Sequence, residues 1–475
     1  MTTRVPSGGA AGRDGPRLSR AGRPQYCVVG GGISGLTAAY RLRTALGGDA
    51  VITLFDPTDR LGGVLRTERL GGVPMDIGAE AFVVRRPEVP ALLSELGLAG
   101  RQVGTTGLRP LIYSQRRLHP LPPDTVNGIP SAAPALAGLV DDATVARIDA
   151  EPAHALSWRP GADPTVARLV ADRFGEQVVA RSVDPMLAGV YAGSASTIGL
   201  RAAAPTVAAA LDAGAPNLTE AVRRALPADR NGPVFGALAG GYAVLIDELI
   251  RRSQLRWVQA AVQWIHRSPD GWSLRDSAGG YWRADAVILA VPAPRFARLA
   301  TDIAPRAAAV AGHIGCASSA VVGLAVPAGS GFGDQSGVLV ASGERLRAKA
   351  ITFTSRKWGA FGYGGKVELL RLSFGKFGDS LASRATDEEL LDWAIADLAT
   401  VFGVDADPLD VCVRRWVAAM PQYRPGHAGL VAELRAHLPP TVAVAGNYLD
   451  GIGVPACVAA AGRAVAELLG AGVAR

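Results

Sequence analysis

Short apolar runs of strand length alternate with segments of helical spacing at both ends of this chain. Tyr26–Val29 and Val51–Phe55 are such runs, and the residues between them repeat apolar positions at helical spacing. A strand, a helix and a second strand within about 30 residues predict a parallel βαβ unit. Near the C-terminus the same pattern predicts a strand over Thr441–Ala445 and a helix over 455–469.

The middle of the chain has a different pattern. Residues 131–230 are rich in Ala, Leu and Arg at helical spacing, with several prolines, which predicts a helical insertion. Arg109–Pro122 indicates a hairpin that ends in prolines. The other predicted elements are strands at Val258–Ile265, Gly271–Leu274, Ala286–Val291, 320–326, 336–341, 366–374 and Val411–Val417, and helices at 88–97 and 387–402.

A glycine motif follows the first strand and opens the first helix. In Gly30-x-Gly32-x-x-Gly35 the glycines permit a tight turn, a close backbone approach to a pyrophosphate and close helix packing. The helix start then offers N–H groups and partial positive charge to phosphates. Asp56 ends the second strand, where a carboxylate accepts ribose hydroxyls and repels a 2′-phosphate, so NADP is disfavoured.

Two further glycine clusters favour FAD over NAD. Gly62-Gly63 follows Asp56 closely and predicts a second approach of bare backbone to a long, extended cofactor. Gly451-x-Gly453-x-x-Ala456 resembles a second dinucleotide motif, but the 22 residues after Gly453 are too few for another strand and its acid. We therefore predict a helix start directed at the flavin ring, with an ordinary glycine-capped helix as the alternative.

The composition limits the class of protein. Hydrophobic residues make up 49% of the 475 residues and charged residues 19%, which predicts a large core and excludes disorder throughout. The net charge of +7 does not indicate nucleic-acid binding, because the first 24 residues contain five arginines and one acid and so supply more than half of it. This Gly-, Pro- and Arg-rich tail is predicted to be disordered.

Reactive residue types exclude several other functions. The four cysteines are far apart without a CxxC pair, and the six histidines have no metal-ligand spacing, so neither a disulfide framework nor a metal site is expected. No GxSxG or P-loop motif occurs, so neither a hydrolase nor a nucleoside triphosphatase is indicated. The sequence lacks a secretory signal and a membrane-spanning apolar run, so we expect a cytoplasmic protein with at most peripheral membrane contact.

Several segments together resemble the flavin amine oxidase/protoporphyrinogen oxidase superfamily. The general resemblance lies in GGGISGL (30–36), DRLGG (59–63), MDIGAEAF (75–82) and GNYLDGIGVPACV (446–458). Three others resemble the bacterial porphyrinogen oxidases within it: VARSVDPMLAGVYAGSASTIGLRAA (179–203), PQYRPGH (421–427) and YSQRRLHPLP (113–122). The resemblance extends from Gln25 to Leu469. It departs from the family pattern at Asp56-Pro57, where a glutamate and a small residue are usual, and in the spacing of the terminal glycines.

The resemblance implies site residues position by position. Arg66 matches an arginine that pairs with a substrate propionate, a task suited to its planar guanidinium. No catalytic base is assigned. The residues that would contact FAD are Gly30, Gly31, Gly32, Ile33, Ser34, Gly35, Asp56, Gly62, Gly63, Gly78, Ala79, Glu80, Val262, Trp416, Ile452, Gly453 and Val454.

The implied activity is the six-electron oxidation of a porphyrinogen in haem biosynthesis, two electrons at a time. Hydride passes from a meso carbon to the flavin, pyrrole nitrogens lose protons, and O2 reoxidises the flavin to give H2O2. Coproporphyrinogen III is favoured as substrate, because its four carboxylates suit an arginine-rich protein without a membrane segment. A downstream haem-pathway enzyme is the expected recipient of the porphyrin.

Three alternatives stay open at this point. Protoporphyrinogen IX oxidation would use the same mechanism. A flavin amine oxidase would produce peroxide from amines, and a non-enzymatic escort protein of the same fold would contain no flavin. The intact DRLGG and terminal glycine segments weigh against the escort protein.

The predicted fold is α/β, with a discontinuous Rossmann-like FAD-binding domain, a mixed-sheet substrate domain and a helical insertion. The nucleotide-binding motifs lie at both ends of the chain, which is why the first domain is expected to be discontinuous. The predicted division is a tail (1–24), FAD-binding segments (25–98, 231–300 and 416–475), substrate segments (99–122 and 301–415) and the insertion (123–230).

Overall fold

A six-stranded parallel sheet collects strands from distant parts of the chain. The computed structural model describes residues 4–5, 22–228, 232–359 and 366–470. The strand order is Arg4–Val5, Arg256–Val258, Val51–Phe55, Gln25–Val29, Ala286–Leu289 and Val442–Val444. Helices cover both faces of this sheet, which confirms the predicted α/β class.

Alternate residues of these strands enter two different cores. Val28 and Leu54 pack with helices Ile33–Leu46, Ala243–Ser253 and Val454–Gly470 on one face. Val29 and Phe55 point the other way and pack with helices Ala293–Leu299, Pro305–Gly312 and His427–Ala436. Because side chains alternate across a strand and both faces are buried, these strands appear in the sequence as continuous apolar runs.

A seven-stranded mixed sheet forms the second unit. Its order is Asp410–Pro421, Cys316–Pro327, Val367–Phe374, Ala348–Phe353, Gly337–Val340, Leu111–Ser114 and Arg117–Pro120. Helix Asp387–Phe402 packs on one face and begins with a capping box between Thr386 and Glu389. The opposite face meets the hairpin of Thr67–Leu70 and Val73–Asp76.

The helical insertion has its own core. Val170, Leu187 and Leu211 are among the buried residues that its helices share. Its helices are Asp142–Ala150, Val166–Phe174, Glu176–Val178, the π-helical turn Val179–Val183, Asp184–Tyr191, Leu200–Ala203, Pro205–Asp212 and Leu218–Ala225.

Smaller elements connect these units. The remaining strands are Phe82–Val83, Gln102–Gly104, Thr125–Val126, Ile129–Pro130, Phe235–Leu238, Val262–Ser268, Gly271–Asp276 and Tyr281–Ala284. The remaining helices are Glu88–Glu95, Thr354–Lys357 and Leu381–Arg384, with 3₁₀ turns at Gly47–Asp49, Ala99–Arg101, Ala133–Leu136 and Glu151–Ala153. In the part of the chain that the structure describes, no helix combines the length and apolarity needed to cross a bilayer.

Two features differ from the sequence expectations. The single strand predicted over Val258–Ile265 is wrong, because Arg256–Val258 joins the parallel sheet whereas Val262–Ser268 turns away into an antiparallel sheet. The predicted domain boundary between residues 415 and 416 falls inside strand Asp410–Pro421, which pairs with its neighbour up to Pro421. Both differences arise from long-range strand pairing, which local pattern does not encode.

The predicted tail lies outside the described residues except for Arg4–Val5 and residues 22–24. Arg4–Val5 pairs in parallel with Trp257–Val258 at the edge of the six-stranded sheet. Disorder of the rest of the tail stays a prediction.

Candidate active site

The first glycine loop joins strand Gln25–Val29 to helix Ile33–Leu46. Gly30 has a φ of 109°, and its N–H donates to the Phe55 carbonyl at 2.8 Å. A Cβ at Gly35 would collide with the Gly30 carbonyl oxygen, so the helix can approach the loop only without a side chain. No side-chain oxygen of the described residues caps this helix, and its first turn carries no acid. Its N–H groups are therefore available to an anion.

Asp56 lies beside this loop. Its Oδ2 accepts from the Gly31 N–H at 2.7 Å, and its Oδ1 accepts from the Thr58 N–H at 3.0 Å. The carboxylate is thus fixed at the end of its strand, next to the helix start. The predicted ribose contact requires this position.

The second glycine pair lies against the first loop. The Gly62 N–H donates to the Gly31 carbonyl at 2.8 Å, and a Cβ at Gly63 would come within 3.1 Å of the Gly32 Cα. Arg60 fixes the loop, since its guanidinium donates to the carbonyls of Leu61 and Leu65 at 2.9 and 3.1 Å. Arg60 has no role among the sequence predictions, although its position directly before the LGG segment was a usable signal.

Gly78 and Ala79 join this cluster from the next segment. The Ala79 N–H donates to the Val64 carbonyl at 3.2 Å, and a Cβ at Gly78 would collide with that same oxygen. The Trp416 ring also lies against Gly78, within 3.1 Å of where a Cβ would stand, and its Nε1–H donates to the Ile77 carbonyl at 3.4 Å. Backbone of three segments is therefore in mutual contact, and the Trp416 ring packs on the last of them at Gly78.

The start of the terminal helix completes the cluster. Gly451 has a φ of 150°, Gly453 is exposed, and the helix begins at Val454, with Ile452 partly exposed before it. Burial raises the pKa of the Cys457 thiol in the first turn to about 11, although the neighbouring Ser34 acts in the opposite direction. The two helix starts therefore lie side by side.

Val262 makes none of the contacts described above. Its side chain is buried in the second core, and its carbonyl accepts from the Arg295 guanidinium. It follows Val258 by four residues, and the Val258 carbonyl accepts from the Asp56 N–H at 3.2 Å. Val262 is thus separated by four residues from the strand end that contacts Asp56.

Glu80 turns its carboxylate towards the seven-stranded sheet. It accepts from Trp358 Nε1–H at 2.7 Å and Thr354 Oγ1 at 3.2 Å, and pairs with Lys357 at 3.1 Å and Arg371 at 3.3 Å. Burial opposes ionisation, but the two cations outweigh it and lower the pKa of Glu80 to about 2. Arg371 also donates to the Gly78 carbonyl at 2.8 Å, so this network fixes the turn that contains Gly78.

Arg66 lies at the edge of the cluster with Glu68 between two guanidinium groups. Arg66 Nε and Arg414 Nη2 lie 2.5 and 2.9 Å from Glu68 Oε1, and Arg60 is close enough to interact electrostatically with Arg66. Burial opposes ionisation of Glu68, but the two bound arginines lower its pKa. Glu68 is thus shared by Arg66 and Arg414, whereas Arg60 also interacts with the carboxylates of Asp56 and Asp59. Within the described residues, no group of three His, Cys, Asp or Glu could hold a metal ion.

Asp76 carries a second buried carboxyl group near the candidate site. Burial raises its pKa to about 7, although bonds from Thr67 and the Tyr242 N–H act in the opposite direction. An acid whose folded pKa is raised binds more protons in the folded than in the unfolded state. Its contribution to stability is therefore complete below about pH 4 and is lost as pH rises through about 7.

We expect Asp76→Asn to remove this loss, because an amide oxygen can still accept from Thr67 and Tyr242. Between pH 4.5 and 7.5 the free energy of unfolding of the wild type should fall by roughly 2–4 kcal/mol more than that of the variant. Urea unfolding at the two pH values measures this difference. The control is Asp270→Asn at an exposed carboxyl. Equal slopes for Asp76→Asn and the wild type would contradict the assignment.

Comparisons with known proteins give a consistent result. The family model described as flavin containing amine oxidoreductase matches residues 33–469. The coproporphyrinogen III oxidase of Mycobacterium leprae is 69% identical over 95% of this chain and 99% of its own length. The Bacillus subtilis protein of the same name is 27% identical over 94% of this chain and 98% of its own. A solved Exiguobacterium structure, assigned as a protoporphyrinogen oxidase, has a TM-score of 0.84 and 27% identity, covering 94% of this chain and 99% of that one.

Proposed function

This chain belongs to the flavin-containing amine oxidoreductase family, and on that premise we propose that it oxidises coproporphyrinogen III to coproporphyrin III in haem biosynthesis. Membership confirms the resemblance found in the sequence and makes FAD the cofactor of this enzyme. The observation that carries the choice of substrate is the 69% identity to a coproporphyrinogen III oxidase over almost the whole of both chains. The Exiguobacterium structure supports protoporphyrinogen IX as the second candidate.

The glycine cluster fits FAD. Substituents at Gly31, Gly35, Gly62 and Gly78 would meet neighbouring atoms, and two helix starts face the same cluster. In the proposal, residues Gly30–Gly35 hold the pyrophosphate, Asp56 the ribose, and Val262 the adenine side of the cofactor. Gly62, Gly63, Gly78, Ala79, Glu80, Trp416, Ile452, Gly453 and Val454 surround the flavin side, Glu80 through its backbone.

The bound flavin supplies the redox chemistry: in each cycle it accepts two electrons and passes them to O2, which is reduced to H2O2. The protein supplies the binding site, the orientation of the substrate and the electrostatic field. The start of the terminal helix places partial positive charge near Gly453, where it stabilises negative charge that develops on reduction. Oxygen as acceptor is tested by following O2 uptake and peroxide release together.

The two arginines that share Glu68 support a substrate that carries carboxylates. Arg66 and Arg414 share the single carboxylate of Glu68, so a substrate carboxylate can pair with Arg66. We expect Arg66→Met to raise the KM for coproporphyrinogen III about tenfold, because a charge-assisted hydrogen bond is lost. The KM of Arg66→Lys should lie between those of the wild type and Arg66→Met, since the lysine ammonium keeps the charge but lacks the planar fork of the guanidinium.

A matched pair elsewhere in the chain controls for the loss of an arginine. Arg86 pairs with Glu88 at the same spacing, with Nη2 2.5 Å from Oε1, and its side chain is 49% exposed. Arg86→Met should leave KM unchanged. An unchanged KM in Arg66→Met as well would remove Arg66 from the substrate site.

Two substrates decide between the candidates. Coproporphyrinogen III and protoporphyrinogen IX, prepared without oxygen, are mixed separately with the purified enzyme in air, and porphyrin fluorescence is recorded. A higher kcat/KM for the tetracarboxylate supports the proposal, and the reverse preference assigns the second candidate. If neither reacts while an amine yields peroxide, the porphyrinogen assignment fails.

The proposed setting is the cytoplasm, where a downstream haem-pathway enzyme receives the porphyrin. The four cysteines support a reducing compartment, because all are free thiols in the structure. Fractionation of cells that express the tagged chain tests the compartment. Transfer of porphyrin to the next enzyme is tested by comparing its rate with and without a trap for free porphyrin.

A further inference from the structure

The segment Pro421–His427 follows the strand that carries Trp416 and packs against the turn before the terminal helix. The Tyr423 hydroxyl donates to the Asn447 carbonyl at 2.6 Å and accepts from the Gly451 N–H at 2.8 Å. One oxygen atom thus closes both ends of the turn 447–451. Tyr423 is only 5% exposed, so its side of these bonds is shielded from water.

His427 holds the middle of the same turn. Its Nε2 lies 3.0 and 3.2 Å from the carbonyls of Tyr448 and Leu449, and both partners are acceptors, so Nε2 must carry the proton. Its ring stacks on Tyr423 with centroids 3.8 Å apart and planes 16° from parallel. Burial lowers the pKa of His427, which favours the neutral ring with Nε2 as its only N–H donor.

The helical insertion is attached to the same segment. The Gly199 N–H donates to the Tyr423 carbonyl at 2.8 Å, and Gln422 Nε2 donates to the Tyr191 carbonyl at 2.9 Å. The Gly426 N–H donates to Asp163 Oδ2 at 2.8 Å. Tyr423 therefore has its backbone fixed by the insertion and its hydroxyl fixed to the turn.

We propose that Tyr423 and His427 are positioning residues that set the terminal helix start, through the turn 447–451, against the flavin ring. The inference rests on the proposed function, because it assumes that FAD lies at Ile452–Val454. Three carbonyl oxygens and one N–H of the turn are held by two side chains, and the helix follows three residues after Gly451. A shift of this turn moves the positive end of the helix relative to the flavin, and so changes how well reduced flavin is stabilised.

Tyr423→Phe tests the hydroxyl while keeping the stacked ring. In the holoenzyme we expect FAD to bind about tenfold more weakly, because two hydrogen bonds are lost and the partly buried Gly451 N–H is left without its partner. The flavin reduction potential should become more negative, since the helix start is less well held. Flavin fluorescence measures FAD release, and dye equilibration measures the potential. Tyr281→Phe, at a tyrosine that is 67% exposed, is the matched control and should change neither.

A second pair of variants tests the histidine. His427→Gln keeps an N–H donor, whereas His427→Leu removes it, so the glutamine variant should restore FAD affinity and potential towards wild type. Lower thermal stability in Tyr423→Phe and His427→Leu, with unchanged FAD affinity, potential and visible spectrum, would reduce the segment to a structural role and overturn the inference. If the wild type binds FAD but oxidises neither porphyrinogen, the proposed function fails while these measurements still decide the inference.

Discussion

Gly78→Ala is expected to abolish FAD binding in a protein that still folds. The alanine Cβ would collide with the Val64 carbonyl oxygen and lie within 3.1 Å of the Trp416 ring. Neither neighbour can move away easily, because the Val64 carbonyl also accepts from the Ala79 N–H and Trp416 belongs to a paired strand. The turn must therefore shift out of the place proposed for the flavin, at a strain of about 1–3 kcal/mol.

The flavin content of purified protein measures this effect, with circular dichroism as the measure of folding. Gly462→Ala is the control, because no neighbouring atom lies within 4 Å of where a Cβ would stand at that helix position, and alanine favours a helix. The control should keep its flavin. Full flavin content in Gly78→Ala would refute the position proposed for the ring.

Glu80→Gln is expected to destabilise the folded protein by about 3 kcal/mol. The side chain is buried and pairs with Lys357 and Arg371, so the amide leaves two largely buried cations without their shared counter-charge. Glu80 has a lowered folded pKa, so its contribution is present above about pH 4.5 and is lost as pH falls through about 2. Urea unfolding at pH 7 gives the free energy of unfolding.

Glu220 provides the comparison at the surface. It also pairs with two cations, Arg223 and Arg224, but all three side chains are substantially exposed. Solvent screens such pairs, so Glu220→Gln should change the free energy of unfolding only slightly. Equal effects of the two substitutions would mean that burial does not strengthen the Glu80 network.

The parts of the site that depend on local backbone geometry could be predicted from the sequence. The turn at Gly30, the helix start at Ile33 and the carboxylate at Asp56 follow from a strand, a glycine motif and a second strand in close succession. The terminal helix and the helix Asp387–Phe402 were predicted to within a residue, since long helices with clear periodicity and caps specify their own ends. Family membership followed from motifs that are contiguous in the chain.

Contacts between residues that are distant in the chain could not be predicted from the sequence and became visible in the fold. Glu80 was predicted to contact the cofactor, yet its carboxylate pairs with Lys357 and Arg371, which lie more than 270 residues further along the chain. The motif PQYRPGH was recognised as a resemblance without a role, and the contact of Tyr423 with Gly451 supplies one. Hydrogen bonds and ion pairs between separate segments depend on how sheets and helices pack. Packing also buries charged side chains, and their partners cannot be identified from the local spacing of residues in the sequence.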